Sequence, residues 1–194
     1  MAVNLVKGQR VDLRKSNGST LRKVVVGLGW DEVKRGGFFF KPQPIDCDAS
    51  AILCIGGKLE SNRDVVYFGN LKHQSGAVRH MGDNLTGAGA GDDEQIIVDL
   101  AALPTQYDRI GFVVNIYQAK QRNQHFGLIQ NAFIRIVDAD NNQELCRFNL
   151  SENYEGRTAM IFGELNRSGD CWKFNAVGQA TNHGGLAEIV EMFK

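Results

Sequence analysis

Apolar residues along this chain recur at every second position or in short β-branched runs, a pattern of strands rather than helices. Val3, Leu5, Val11 and Leu13 alternate with polar neighbours and predict a first strand broken near Lys7 and Gly8. Residues 21–28 carry the run Val24-Val25-Val26 of a buried strand that ends at Gly29-Trp30-Asp31. Further strands are expected at 45–55, 64–68, 77–81, 94–100, 109–117, 126–137, 144–150, 158–165 and 171–177. In the strand from Glu94, the residues Ile96, Val98 and Leu100 share one face, with Ile97 and Asp99 on the other. Only the end of the chain shows helical spacing: Leu186, Ile189, Val190 and Phe193 cover one face of a short amphipathic helix at 185–194. No repeat or linker divides the chain. The pattern predicts one all-β domain spanning residues 1–194, a two-sheet β-sandwich with a few short helices, one of them C-terminal.

Composition narrows the setting. Lys plus Arg and Asp plus Glu each number 22, so there is no basic field to attract nucleic acid, and none is expected as a partner. No apolar stretch approaches the roughly 18 residues of a membrane span. The first eleven residues lack the apolar core of a signal peptide, which leads to the expectation of a cytoplasmic protein. Cys47, Cys54, Cys146 and Cys171 are scattered without a CxxC pair and read as reduced thiols.

The acids are unevenly placed. Residues 82–94, Gly-Asp-Asn-Leu-Thr-Gly-Ala-Gly-Ala-Gly-Asp-Asp-Glu, hold four glycines and four carboxylates, and connect two predicted strands. Glycines 87, 89 and 91 let the backbone turn tightly and point carbonyls inward. Carboxylates this close repel one another unless a cation sits among them, and hard oxygen donors on a flexible loop suit Ca2+. A phosphate cradle would want a Lys and would be opposed by Asp92, Asp93 and Glu94. An EF-hand fails because its third and fifth positions would be Leu85 and Gly87. A polar, solvated hairpin loop is the remaining alternative.

Two more segments bear on this loop. In the strand from Ile45, Asp46 and Asp48 share a face with Ser50 and Ile52, their carboxylates about 7 Å apart. That arrangement is costly on an apolar-rich strand without a compensating cation. Asp31 ends its own strand, where it can offer a carboxylate to a neighbouring loop. Together these acids are expected to form a shared acidic pocket able to take two ions. Asp138, Asp140 and Asn141 make a second acid-rich turn, a common feature of hairpins. Phe38, Phe39 and Phe40, flanked by basic residues, read either as rings folded onto the core or as a membrane or partner patch.

Catalytic patterns are thin. His73, His80, His125 and His183 stand apart, and no HExxH, GxSxG or Cys–His arrangement is evident. Acids around a divalent ion could activate water, so a metal-dependent hydrolase or phosphoryl-transfer enzyme is the alternative to a non-enzymatic module.

The 82–94 motif, the segment Gly27-Leu28-Gly29-Trp30-Asp31 and the strand Asp46-Cys47-Asp48-Ala49-Ser50 resemble the TerD-type tellurium-resistance and general stress proteins. So do Asn131-Ala132-Phe133-Ile134-Arg135, Gly163-Glu164-Leu165, Trp172-Lys173-Phe174 and Gly184-Gly185-Leu186, a likeness running from about residue 3 to residue 190. The resemblance implies a cytoplasmic β-sandwich that binds a pair of Ca2+ ions and contributes to tellurite and chemical-stress resistance. Its partners would be other stress-system proteins, membrane-associated ones among them. Carried onto this chain, the ligand candidates are Asp31, Asp46, Asp48, Asp83, Asn84, Asp92, Asp93 and Glu94, with backbone oxygens near Gly87 and Gly89. Cys47 between the two aspartates and the segment from Phe38 to Pro44 depart from the family pattern.

Overall fold

A computed structural model describes residues 2–15, 17–32, 44–82, 91–150 and 152–194, the side chain of Glu32 excepted. Its strands are β1 (Val3–Leu5), β2 (Arg10–Leu13), β3 (Lys23–Glu32), β4 (Cys47–Ile55), β5 (Val65–Val66), β6 (Val78–His80), β7 (Glu94–Asp99), β8 (Tyr107–Ile116), β9 (Ile129–Asp138), β10 (Gln143–Asn149), β11 (Ala159–Ser168) and β12 (Cys171–Thr181). They form two sheets with the orders β1-β10-β9-β3-β7-β6 and β2-β12-β11-β8-β4-β5. Among the described residues all strand pairs are antiparallel except β1 with β10. The expected β-sandwich is therefore present.

The core lies between the sheets and follows the alternation in the sequence. Val24, Val26 and Leu28 of β3 and Ile96 and Val98 of β7 point inward, against Cys47, Ala49, Ala51 and Leu53 of β4 and Phe112 and Val114 of β8. The opposite parity of β4 and β8 is also covered. Ile52, Cys54 and Val113 pack under Ile189, Val190 and Phe193 of the C-terminal segment, which is helix α2 (Leu186–Val190) followed by a 3-10 turn (Glu191–Phe193). That second, smaller core explains why the later part of β4, residues 51–55, is apolar on both faces.

Two expectations are revised. The alternation from Val3 to Leu13 is not one interrupted strand, because its halves join different sheets: β1 lies beside β10 and β2 beside β12. The turn at Gly8, with φ of 84°, passes the chain from one sheet to the other, and a period of two does not say which sheet a strand will join. The strand expected over 64–68 shrinks to Val65–Val66, because Tyr67 and Asn70 close a tight turn instead. All four cysteines are free thiols, three of them buried. Among the described residues no helix is long and apolar enough to cross a membrane.

Candidate metal centre

The acid–glycine segment joins β6 to β7, and its far end is stitched to β3. Asp93 donates its backbone N–H to the Leu28 carbonyl at 2.7 Å, and Leu28 pairs with Glu94 in the β3–β7 ladder. The chain can return across the outer face of β3 because Gly27 and Gly29 leave that face bare. A Cβ on Gly27 would collide with the Asp92 carboxylate, and one on Gly29 would meet the Gly91 carbonyl at 2.9 Å and the Phe133 ring closer still.

Asp92, Asp93 and Glu94 then diverge. Asp92 lies on the outer face, where Arg135 of β9 grips it with two parallel hydrogen bonds, Nε to Oδ1 at 2.7 Å and Nη2 to Oδ2 at 3.0 Å. Gln95 adds a third donor at 3.0 Å, and Arg135 also reaches Glu144 at 3.1 Å. Asp93, only 8% exposed, accepts the backbone N–H of Trp30 at 2.7 Å. Burial, then the nearby charges of Asp31 and Asp92, push its carboxyl above the ordinary aspartate value against the pull of that N–H. Glu94 points between the sheets. It accepts the Ala49 N–H at 2.7 Å and lies 3.3 Å from His80 Nε2, which is also 3.2 Å from the Ala49 carbonyl. Because β5 pairs with β4 only at Ala51 and Ile52, Glu94 and His80 cap the backbone edge that Ala49 leaves open.

Asp31 is exposed on the β3 face and accepts a hydrogen bond at 2.8 Å from Asn131, which adopts a left-handed backbone with φ of 55°. A register shift between Gly29 and Asp31 pairs Asp31 with Gln130 and leaves Asn131 as the extra residue of a bulge. Beside Asp31 opens a cavity of about 590 Å³, lined by Trp30, Gly91, Asn131, Phe133 and Arg147 among others. The Arg147 guanidinium lies 4.0 Å from the centre of the Phe133 ring.

Asp48 lies on the outer face of the other sheet, and Asp46 just precedes β4. Asp48 accepts a hydrogen bond from its cross-strand neighbour Asn115 at 3.4 Å, and Asp46 is 3.9 Å from Arg122. The structure thus sets the charges of Asp31 and Asp92 where they act on Asp93, puts Glu94 between the sheets, turns Asp48 outward on β4 and leaves Asp46 just ahead of that strand. Asp83, Asn84, Gly87 and Gly89, like Phe38, Phe39 and Phe40, lie outside the described residues. Among the described residues no three His, Cys, Asp or Glu side chains converge as a ligand group.

Sequence reasoning missed several participants. Arg135, Asn131 and His80 orient the acids, and none announces itself by spacing because all three act across strands. It also missed a buried polar cluster. Asp64 Oδ1 accepts from His73 Nε2 at 2.9 Å, the Tyr107 hydroxyl at 2.9 Å and Gln74 at 3.2 Å, while His73 Nδ1 is held by Ser75. Ser75, His73 and Asp64 have the composition of a nucleophile relay. The imidazole is fully buried, however, and its Nδ1 already accepts the backbone N–H of Ser75, so the cluster is a brace. Burial and the bond to Asp64 raise the Tyr107 hydroxyl above its ordinary value.

Comparison with known proteins follows the same lines. The TerD domain family model matches residues 1–193. The chain is 51% identical to "Stress response protein SCP2" of Bacillus subtilis (strain 168), with all of both chains covered. It is 44% identical to "Tellurium resistance protein TerD" of Serratia marcescens, covering 100% of this chain and 97% of that one. A solved homologue of telluride resistance protein (TerD) from Streptomyces coelicolor A3(2) has the same fold, with a TM-score of 0.66 at 23% identity over 90% of this chain and 98% of its own.

Proposed function

The chain belongs to the TerD domain family of tellurium-resistance and stress-response proteins, and from that premise we propose that it is a non-enzymatic calcium-binding module of a stress-resistance system. The observation that carries this reading is the setting of Asp93. Its carboxylate is buried within reach of the charges of Asp31 and Asp92, with a single backbone N–H as its hydrogen-bond donor among the described residues. The nearby cation, Arg135, is committed to Asp92 and Glu144. A hard divalent ion relieves such repulsion, and the oxygen-only donor chemistry fits Ca2+.

In this reading Asp31 and Asp93 hold the ion directly. Asp92 fixes the returning chain through Arg135, and Glu94 locks the same turn to β4. Asp83 and Asn84, with carbonyls near Gly87 and Gly89, would add the remaining oxygens. Asp46 and Asp48 would hold the second ion of the pair. Bound calcium would supply charge neutralisation among these acids, and a partner among other stress-system proteins would read the neutralised surface.

Calorimetric titration of chelator-stripped protein tests the proposal. Saturable Ca2+ uptake with a rise in thermal stability is expected, and both should vanish in Asp93→Asn. A stripped protein whose stability ignores Ca2+ removes the reading. Ca2+- or Mn2+-dependent turnover of a phosphoester that Asp48→Asn abolishes would establish the enzymatic alternative instead.

A further inference from the structure

The outer face of β4 and β8 carries a groove of about 290 Å³, roofed by Gly184, Gly185 and Leu186 at the start of α2. Its lining holds two buried oxygen atoms without hydrogen-bond partners among the described residues. Ser50 is 1% exposed and its Oγ is unpaired. Asn115 is 5% exposed; its Nδ2 donates to Asp48, and its Oδ1 is unpaired. Buried polar atoms in native proteins are nearly always satisfied, by protein, water or ligand, so two such atoms lining one groove point to something that enters it. The walls are aromatic: Tyr117, Tyr67, and Phe68, whose ring is half exposed.

The lining narrows the chemistry by elimination. An anion would meet the Asp48 carboxylate. An organic cation would find the Tyr117 wall already taken by a cation from outside the groove: the Arg122 guanidinium lies 5.0 Å from the centre of that ring and 3.9 Å from Asp46. A purely apolar guest would leave Ser50 Oγ and Asn115 Oδ1 unpaired. What remains is a neutral body with a flat apolar face and closely spaced hydroxyls, which donate to Asn115 Oδ1 and exchange hydrogen bonds with Ser50. The groove is near the lower end of the size range for small-molecule sites. We propose that this groove binds a polyhydroxylated ring, a sugar or the ribose of a nucleoside, through Ser50 and Asn115 with stacking on Phe68 and Tyr117. The inference uses Ser50 and Asn115 and does not rest on the calcium reading.

The test is amide-resolved NMR titration of the full chain with methyl α-D-glucopyranoside and with adenosine, each with Ca2+ and with chelator. One probe should shift the amides of Ser50, Asn115, Gly184 and Gly185 saturably, at about millimolar concentration. Ser50→Ala should weaken that probe about tenfold. Phe68→Ser, at an exposed ring whose loss leaves the core intact, should weaken it several-fold. The glucoside arm and the adenosine arm distinguish a free sugar from a nucleoside. Absence of shifts with both probes in both conditions overturns the proposal, as do groove shifts from arginine methyl ester or benzoate in place of the polyols, or an affinity unchanged in both variants. Calcium uptake without polyol binding sinks this inference alone, and polyol binding in chelator without calcium uptake sinks the calcium reading alone.

Discussion

Asp64 and Asp93 are both buried carboxylates, yet their surroundings are opposite in character. Asp64 is ringed by donors from an imidazole, a phenol and a carboxamide, which tie a 3-10 turn (Asn62–Asp64) and the turn after His73 to β8. Among the described residues, Asp93 has one backbone N–H and two acids whose charges act on it. Burial of an acid therefore says little until its partners are known. A carboxylate supplied with donors braces a fold, whereas one set among like charges is a place for a cation.

The largest effect should come from breaking the supplied carboxylate. Asp64→Ala leaves His73, Tyr107 and Gln74 facing an empty position, and should cost about 3–5 kcal/mol in urea unfolding. The cost should be the same in Ca2+ and in chelator. A loss seen only in Ca2+ would erase the distinction between the two acids. Next comes the calcium term itself. At 100 times its dissociation constant, an ion bound only by the native state adds about 2.7 kcal/mol. Asp93→Asn should remove that increment while leaving the chelator-stripped protein as stable as before or more so, since repulsion from Asp31 and Asp92 goes with the charge. Paired unfolding curves decide it: a stripped Asp93→Asn protein much weaker than wild type would make Asp93 a brace like Asp64.

A smaller effect is set by pH. Burial alone would raise the Glu144 carboxyl, but hydrogen bonds from Arg147 and Arg135 outweigh it and hold the group below its ordinary value. A depressed carboxyl contributes stability that is fully present above the unfolded value near 4.5 and is lost as pH falls through the lower folded one. Unfolding measured from pH 6 down to about pH 3 should show this loss in wild type, and a shallower one in Glu144→Gln. Equal slopes would mean that the arginine bridge behind Asp92 contributes nothing.

How much of this was legible in the chain differs between fold and site. Strand parity was readable because the core selects it: Ile96, Val98 and Leu100 point inward as their alternation requires, and Asp48 and Ser50 turn outward together on β4. The C-terminal helix was readable for the same reason. Sheet membership was not, and β1 and β2 went to different sheets across a single glycine turn. The acids at 31, 46, 48 and 92–94 stood out by composition, but their partners did not. Arg135 reaches Asp92 from β9, and His80 and Glu94 meet at Ala49 only because β5 stops short. Cross-strand pairs of this kind depend on register, which local sequence does not encode. Asp64 and His73 were likewise invisible as a pair because Tyr107, which completes their cluster, lies far along the chain.

The smallest expected effect separates the two acid settings most finely. Arg147 lines the cavity beside Asp31, stacks on Phe133 at 4.0 Å and shares Glu144 with Arg135. Its side chain remains partly exposed, so the stacking and the ion pair together should contribute only about 0.5–1 kcal/mol to stability. Arg147→Ala should cost that much in chelator. At the same time it removes a positive charge from the cavity that Asp31 faces, so Ca2+ should bind slightly more tightly, by less than about tenfold given solvent screening. Asp64→Ala should give no such gain, since its cluster lies on other elements and Asp64 is already supplied with protein donors. A variant that loses stability and gains calcium affinity would mark the Asp31–Asp93 side as the cation side of the molecule. An Arg147→Ala protein with weakened Ca2+ binding would instead mean that the guanidinium positions the acids, as Arg135 does for Asp92.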